Sequence, residues 1–569
     1  MKVSDYIVNF FIKHEIRDVF GYPGGMVTHL MDSFNKFRTQ ITAHLNYHEQ
    51  AAAFAACGYA QASLKPGVAF TTSGPGVTNL LTGLCNAYYD SIPALFLTGQ
   101  VNTYEAKGET LVRQKGFQET DVISIVSSVV KYVAAVTEAE ELRYHLEKAY
   151  YMASEGRPGP TLLDIPMNVQ RADINPGKLI GYSFPASSES ISARDACQII
   201  YQALLNARRP LVLVGAGVQN SGTQEYLRAW INSIQIPIVS SMLAVDALPQ
   251  DNHYYGFIGA YGSRCANFLT AKCDLLITLG TRLDLRQTGV DTEAFAKNAK
   301  LLRVEVDENE LTNKIKKDEE ILFIDLKILM PELVEISKCG LPDFTPWIGV
   351  CDEIRTKLPK EENMPNRLIE KLSALLPEDA MITTDVGQNQ VWVAQSFVTK
   401  GQRILFSGGH GAMGYSLPAA IGAYFGSRKK MLAFTGDGGL QMNMQELQFL
   451  ARERIPVKII LLNNASLGMI RHFQEMYFDK NYVQTKRTNG YTVPDFVSVA
   501  KAYRIPSCRI TEPEGLKSAL PYIQSAEPAL IEIVLPDDTY VFPKLSVGRA
   551  IHDQDPLINR SLFDYLTAL

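Results

Sequence analysis

Short, almost wholly apolar runs that recur along the chain constrain its fold most. GVAFTT (67–72), PALFLTG (93–99), PLVLVG (210–215), DLLITLG (274–280), KMLAFTG (430–436) and VKIILLNN (457–464) are each separated from the next by a longer helical pattern. A strand apolar on both faces must be covered on both, so these runs predict parallel sheets sandwiched by helices. At 569 residues the chain is too long for one core. RADINPGKLIGYSFPASSES (171–190) and the stretch 339–366 lack apolar periodicity and are rich in turn formers, and read as linkers. The expected fold class is therefore α/β, with three doubly wound parallel-sheet domains at 1–170, 190–338 and 366–550 and a C-terminal tail at 551–569. Residues 68–97 run strand, TSGPG turn, helix, Ile92-Pro93, strand, and residues 432–463 run strand, TGDGG turn, helix, Ile455-Pro456, strand. This faint repeat points to duplication of the first domain as the third, or to two arrivals at one βαβ recipe.

The 55 basic and 60 acidic residues are interspersed, without the basic run that would track a phosphate backbone, which argues against nucleic acid as a partner. No stretch approaches the ~20 apolar residues of a membrane span, and MKVSDYIVNFFIKHEI reads as an amphipathic helix, so a cytoplasmic protein is expected. Eight cysteines lie scattered without a CxxC or CxH pattern, which predicts reduced, mostly buried thiols.

The strongest chemical signal is Gly436-Asp437-Gly438 followed, one helix later, by Asn463-Asn464. Both ends fall at the carboxyl edge of strands joined by a crossover, where α/β sheets bind ligands. Asp437 and Asn464, with a backbone carbonyl near Ser466, form an oxygen-only donor set suited to Mg²⁺. Gly438 and Gly439 leave room for a phosphate against a helix expected to begin near Met442. Each motif alone would be a tight turn. Together at this spacing they predict a metal–diphosphate site.

GDG, a helix and then NN is the pattern of thiamine-diphosphate enzymes, and the whole chain resembles the acetolactate synthase (acetohydroxyacid synthase) family. The resemblance runs through VFGYPGG (19–25), HEQ (48–50), TSGPGVTNL (72–80), TGQV (98–101), FQET (117–120), GRPGPTLLDIP (156–166), TRLDLRQTG (281–289), DVGQNQVW (385–392), SGGHGAMGYSLPAAIG (407–422) and LLNNASLGMI (461–470). It implies a pyrimidine-binding domain, a central Rossmann-like domain and a pyrophosphate-binding domain, with thiamine diphosphate and Mg²⁺ as cofactors. Glu49 matches the carboxyl group that bonds the cofactor's aminopyrimidine; read alone, it is an acid at a helix N-terminus. Val386, Gly387 and Gln388 resemble the diphosphate-contacting turn, and Leu467, Gly468 and Met469, after the NN pair, are further cofactor-binding candidates by the resemblance. Gly411, Ala412 and Met413 resemble the segment that bends the cofactor, with Met413 between its rings. Gly24 and Gly25 line the reaction chamber by resemblance, and Phe117 and Gln118 approach the substrate. His410 is a candidate proton donor to an acceptor, whereas His48 reads as structural. The resemblance also implies a homo-oligomer, dimer or tetramer, in which Glu49 and Asp437 of different copies serve one site.

Arg286 matches an arginine associated with choosing a 2-oxo acid acceptor and with a structural FAD; the alternative is a surface ion pair with Asp284. Other flavin candidates are Gly215, Gly217, Ser241, Met242, Leu243, Arg282, Asp284, Glu305 and Asp325, although Leu285 stands where the family carries an acid. Phe473 replaces the usual tryptophan of the acceptor pocket, and Met26 replaces a small residue. These departures resemble homologues that build branched-chain sugars, such as the yersiniose-type ligases. The expected activity is decarboxylation of pyruvate and ligation of the two-carbon unit to a ketone, with a nucleotide-linked keto-deoxysugar favoured. Acetolactate synthase acting on two 2-oxo acids is the close alternative, and a non-ligating decarboxylase or pyruvate oxidase the further one.

Overall fold

In the computed structural model, which describes residues 1–185, 191–248, 253–359 and 363–569, all six apolar runs form strands. The first sheet contains β1 (Asp18–Gly21), β2 (Thr42–Leu45), β3 (Gly67–Thr71), β4 (Ala94–Gln100), β5 (Tyr132–Ala135) and β6 (Pro160–Pro166) in the order β2-β1-β3-β4-β6-β5. The second contains β7 (Pro210–Val214), β8 (Ile238–Ser240), β9 (Tyr254–Phe257), β10 (Leu275–Leu279), β11 (Lys300–Glu305) and β12 (Glu320–Phe323), ordered β12-β11-β10-β7-β8-β9. The third contains β13 (Met381–Thr384), β14 (Arg403–Leu405), β15 (Met431–Gly436), β16 (Val457–Asn463), β17 (Ser507–Ile510) and β18 (Ala529–Val534), ordered β14-β13-β15-β16-β18-β17. Pairing is parallel, for example Leu432 with Lys458 in β15–β16 and Val68 with Leu95 in β3–β4.

Numbered from its own first strand, the third sheet repeats the strand order of the first, which agrees with the repeat seen in sequence. The second has the order 3-2-1-4-5-6 of a dinucleotide-binding fold, with its switch point between β7 and β10.

The chain forms two compact units, one of residues 1–186, 380–389 and 405–537, the other of 187–379, 390–404 and 538–569. Within the first unit, α1 (Glu49–Ser63) crosses α3 (Ser416–Ser427) so closely that backbone meets backbone. A Cβ on Gly58 would lie 2.0 Å from the carbonyl oxygen of Ala419, and one on Gly422 would lie 1.7 Å from that of Ala55. Phe54 meets Tyr415 edge to face, and the Tyr415 hydroxyl donates to Gln61 Oε1 at 2.5 Å. The core that joins the first and third sheets is built around this crossing.

In the second unit, Leu566 of the tail helix Arg560–Ala568 belongs to the core that contains Phe268 and Trp347. The stretch 339–366, expected to be a linker, contains the helix Thr345–Lys357, in which Trp347, Cys351 and Ile354 are buried. Pro346 sits in the first turn of that helix, where proline is tolerated, so this turn former opens a helix instead of breaking one. Of the expected linker 171–190, residues 186–190 lie outside those described. All eight cysteines are free thiols, and five of them are buried. No helix among the described residues is long and apolar enough to cross a membrane.

Candidate active site

The sequence-predicted residues of the first unit fall into two clusters, each at the carboxyl edge of a sheet. At the first sheet, Glu49 opens α1, with His48 as its N-cap accepting from Gln50 N at 3.1 Å, a structural role as expected. The Glu49 side chain is 9% exposed, and its Oε2 accepts from Asn79 Nδ2 at 3.0 Å on α2 (Pro75–Tyr89). Its Oε1 accepts no bond among the described residues, and a Cβ on Gly76 would stand 3.5 Å from it. Glycine at 76 therefore keeps that oxygen approachable.

Gly24 has no room for a side chain, since a Cβ would lie 2.4 Å from that of Thr72; Gly25 faces open space. Gly24 lines a cavity of about 520 Å³ with Pro23, Thr28, Met31 and Asp32. The carbonyl of Met26 accepts from Gln170 Nε2 at 2.7 Å and packs against Gly99, so its backbone is fixed while its side chain is half-buried. Phe117 is 78% exposed, and Gln118 holds a left-handed φ of 62°. Such a backbone is strained for a residue with a side chain and persists only where its surroundings impose it.

Those surroundings are two carboxylates that sequence reasoning did not single out. Glu119 accepts backbone N–H groups from Lys107 at 2.6 Å, Lys115 at 2.9 Å and Gly116 at 3.3 Å, which hold its carboxyl below the usual range despite partial desolvation. Gln100 Nε2 bridges the Thr120 carbonyl at 2.9 Å and Asp164 Oδ2 at 3.0 Å. Burial pushes the Asp164 carboxyl up to about 7, against hydrogen bonds from Thr98 and Gln100.

At the third sheet, the segments that carry GDG and NN come together, Ser466 N donating to Asp437. Asp437 Oδ1 accepts from Gly438 N at 2.7 Å and Tyr491 Oη at 3.0 Å, and Oδ2 accepts from Ser466 N at 3.2 Å. Asn464 Nδ2 donates to Gln388 Oε1 at 3.0 Å, leaving its own oxygen for other partners. Burial raises the Asp437 carboxyl to about 6. The helix α4 (Asp437–Met442) ends, rather than begins, at Met442: Gly436 is its N-cap, and Asp437 is its first residue. Six residues give this helix little dipole, so space and individual N–H groups remain as the means of holding an anion. A Cβ on Gly439 would lie 2.6 Å from Asp385 Cγ, and one on Gly438 would lie 2.9 Å from Met413 Cε.

Asp385, fully buried at the end of β13, joins the parts. It accepts from Val386 N, Gly414 N and Ser416 N at 2.9, 2.8 and 3.2 Å, and from Thr435 Oγ1 at 3.3 Å. Desolvation nevertheless raises its carboxyl to about 6. Gly387 and Gly411 take φ of 140° and 70°, which glycine permits. Asn389 Nδ2 is buried with no partner among the described residues, and its Oδ1 would lie 3.0 Å from a Cβ on Gly387. The turn carrying His410 is held by Asp90, which accepts from Gly408 N at 3.2 Å and Gly409 N at 2.6 Å, while His410 stacks on Tyr89. Burial lowers the His410 pKa. Leu467 caps α5 (Gly468–Tyr477), where Gly468 sits against Gln388; Met469 follows in the first turn, and Phe473 is 47% exposed.

In the second unit, the flavin candidates gather at the carboxyl edge around the switch point. Gly215 and Gly217 pack against Gly280, Ser241 to Leu243 follow β8, Glu305 ends β11, and Asp325 follows β12. Asp284 caps the short helix Leu285–Thr288 by accepting from Arg286 N at 2.9 Å, but its ion-pair partner is Arg282, at 3.4 Å. The alternative reading of Arg286, a side-chain ion pair with Asp284, is not formed: only its backbone N–H meets Asp284, and Arg286 is exposed.

An acid at the mouth of one parallel sheet, and a carboxylate, amide and glycine cradle at the mouth of another of the same strand order, define a thiamine-dependent architecture. The chain belongs to the thiamine pyrophosphate enzyme family: it matches the N-terminal TPP binding domain over residues 1–125, the central domain over 197–333 and the C-terminal TPP binding domain over 385–533. Within that family it is acetolactate synthase-like. The acetolactate synthase large subunit of Lactococcus lactis subsp. lactis is 36% identical over 93% of this chain and 92% of its own. The isozyme 2 large subunit of Escherichia coli K12 is 34% identical over 96% and 98%, and chloroplastic acetolactate synthase 1 of Oryza sativa subsp. japonica 33% over 97% and 87%.

Proposed function

We propose that this enzyme decarboxylates pyruvate and joins the two-carbon unit to a second 2-oxo acid, the acetolactate synthase reaction. The observation that carries the reading is the bond from Ser466 N to Asp437 Oδ2, which ties the GDG and NN motifs into one oxygen-rich site. The names of the relatives favour a 2-oxo acid acceptor over the keto-sugar first expected.

The donor set fits Mg²⁺ and a diphosphate. Asp437, Asn464 and the Ser466 carbonyl would hold the cation, and the orphan amide of Asn389 would meet phosphate oxygen in the space kept by Gly436, Gly438 and Gly439. Val386, Gly387, Gln388, Leu467, Gly468 and Met469 would complete the cradle. Bound thiamine pyrophosphate supplies a nucleophilic carbon and an electron sink for decarboxylation. Glu49 would hold a proton at the pyrimidine through its free Oε1, with Asn79 fixing the other oxygen. Gly411 and Met413 would set the bend between the rings, and Gly24, Gly25, Phe117 and Gln118 would orient the 2-oxo acid and exclude water.

A homo-oligomer, with Glu49 of one copy facing Asp437 of another, is supported by apolar side chains left exposed near both clusters: Leu111 and Phe117 on a loop, and Ile470 and Phe478 on and at the end of α5. The crevice at the switch point of the second sheet suits a structural FAD, with Arg286 exposed at its edge. A second reading, a nucleotide-linked keto-sugar as acceptor, is favoured by Phe473 and Met26 in the acceptor wall.

Purified protein incubated with pyruvate, thiamine pyrophosphate and Mg²⁺, with and without a nucleotide-linked 4-keto-deoxysugar, separates the readings by mass spectrometry. Acetolactate formed at the same rate with or without the sugar supports the first. A sugar heavier by C2H4O, pyruvic acid less CO2 added across its ketone, supports the second. Acetaldehyde or peroxide alone would refute both, and Glu49→Gln is the blank.

A further inference from the structure

The GDG and NN motifs are tied to a third stretch, residues 484–491, which neither motif contains. Leu467 N and Ser466 Oγ both donate to the Thr485 carbonyl, at 3.0 and 2.9 Å, and Ser466 forms an isolated antiparallel bridge with Lys486. Thr485 is buried, and its hydroxyl donates to Gln474 Oε1 of α5 at 2.7 Å. The stretch turns back on itself through Gln484 N to the Asn489 carbonyl at 2.9 Å and Tyr491 N to the Lys486 carbonyl at 3.2 Å. Tyr491 thereby reaches the cradle: its hydroxyl lies 3.0 Å from Asp437 Oδ1 and 3.3 Å from where a Cβ on Gly438 would stand.

A carboxylate offers about four lone-pair sites. On Asp437, Gly438 N and Tyr491 Oη occupy both sites of Oδ1, while Ser466 N occupies one of Oδ2. Ala465 N also bears on this carboxylate, and Tyr491 supplies its one side-chain bond among the described residues, on Oδ1. Without the Tyr491 bond, only backbone N–H groups would hold the carboxylate, and it could turn. Mg²⁺ tolerates little deviation from an octahedron at about 2.1 Å, so a turning ligand binds it poorly.

We propose that Tyr491, delivered by the strap 484–491, is a positioning residue that fixes Asp437 so that Oδ2 is the oxygen presented to a divalent cation bound with a diphosphate. This rests on the cation site assigned under Proposed function, and the test separates the two. Partners one step removed from a metal typically change its affinity 10–100-fold when removed.

Full-length protein stripped by a chelator is titrated with Mg²⁺ at fixed thiamine pyrophosphate, followed by calorimetry and by thermal protection. Tyr491→Phe is expected to raise the half-saturating Mg²⁺ at least tenfold while the stripped protein melts as wild type does. An unchanged Mg²⁺ titration overturns the proposal, and so does a loss of melting temperature in the stripped protein, which would make Tyr491 merely structural. Asp437→Asn is the companion variant. If it takes up Mg²⁺ like wild type, the cation site itself is wrong; if it loses uptake while Tyr491→Phe does not, only the positioning role falls.

Discussion

Replacing Gly422 with alanine would place a methyl group 1.7 Å from the carbonyl oxygen of Ala55, at the crossing of α1 and α3. Carbon and carbonyl oxygen do not ordinarily approach below about 3.3 Å, so one helix must move by more than an ångström. Both partners at the clash are backbone, and no rotamer change relieves it. The penalty should sit at the upper end for overpacking, about 3 kcal/mol, offset by about 1 kcal/mol because alanine is the better helix former. A net loss of ~2 kcal/mol, spread over the unfolding entropy of a unit of roughly 330 residues, lowers its melting temperature by about 3 °C. The same substitution at Gly349, in the helix Thr345–Lys357, meets nothing within 4 Å and should raise the melting temperature of the other unit by a degree or so, from ~0.8 kcal/mol of helix propensity. Differential scanning calorimetry of the two variants at one scan rate reads both signs. If Gly422→Ala melts at or above the wild-type temperature, the helices are not in backbone contact and the reasoning fails.

Glu119→Ala would leave three backbone N–H groups of the 107–116 loop without their acceptor, and limited proteolysis should cut there faster while global melting barely changes. Burial raises Asp164 and Glu446 to about 7 and Asp385 to about 6, so the native state keeps these protons where the unfolded chain, at about 4, has released them. Stability from these groups should therefore rise as pH falls from about 7 towards 4 and gain nothing below. Melting scans across that window should show the rise, and Glu446→Gln should flatten part of it; a melting temperature that falls steadily from pH 7 to 5 contradicts the assignment.

The strands were legible because a parallel strand covered on both faces leaves a compact apolar run, as β15 and β16 do. GDG and NN were legible because the crossover rule brings successive strand ends together. The residues that organise the site around them were not, because their partners lie far away in sequence. Asp385 stood inside a recognised motif, but its bonds to Gly414 and Ser416 span some thirty positions that no spacing rule predicts. Glu446, whose carboxylate takes Asn46 Nδ2 and Tyr47 N, is four hundred residues from them. The alternative of an Asp284–Arg286 ion pair is absent for a local reason: a capping aspartate engages the backbone of the second residue after it, not the side chain that charge alone would choose.

The crossing of α1 and α3 also governs when the protein can fold. Alanine-rich α1 is made early, yet the helix that covers it is completed about 360 residues later, which at 5–20 residues per second is roughly 20–70 s of synthesis. The second sheet, complete between residues 210 and 323, can close meanwhile without waiting for the third. Until α3 emerges, the nascent chain carries an unmatched, small-residue surface with an uncovered parallel sheet behind it, the kind of species that aggregates or recruits a chaperone. Slowing translation between the second and third domains should therefore lower soluble yield more than the same delay placed after residue 430.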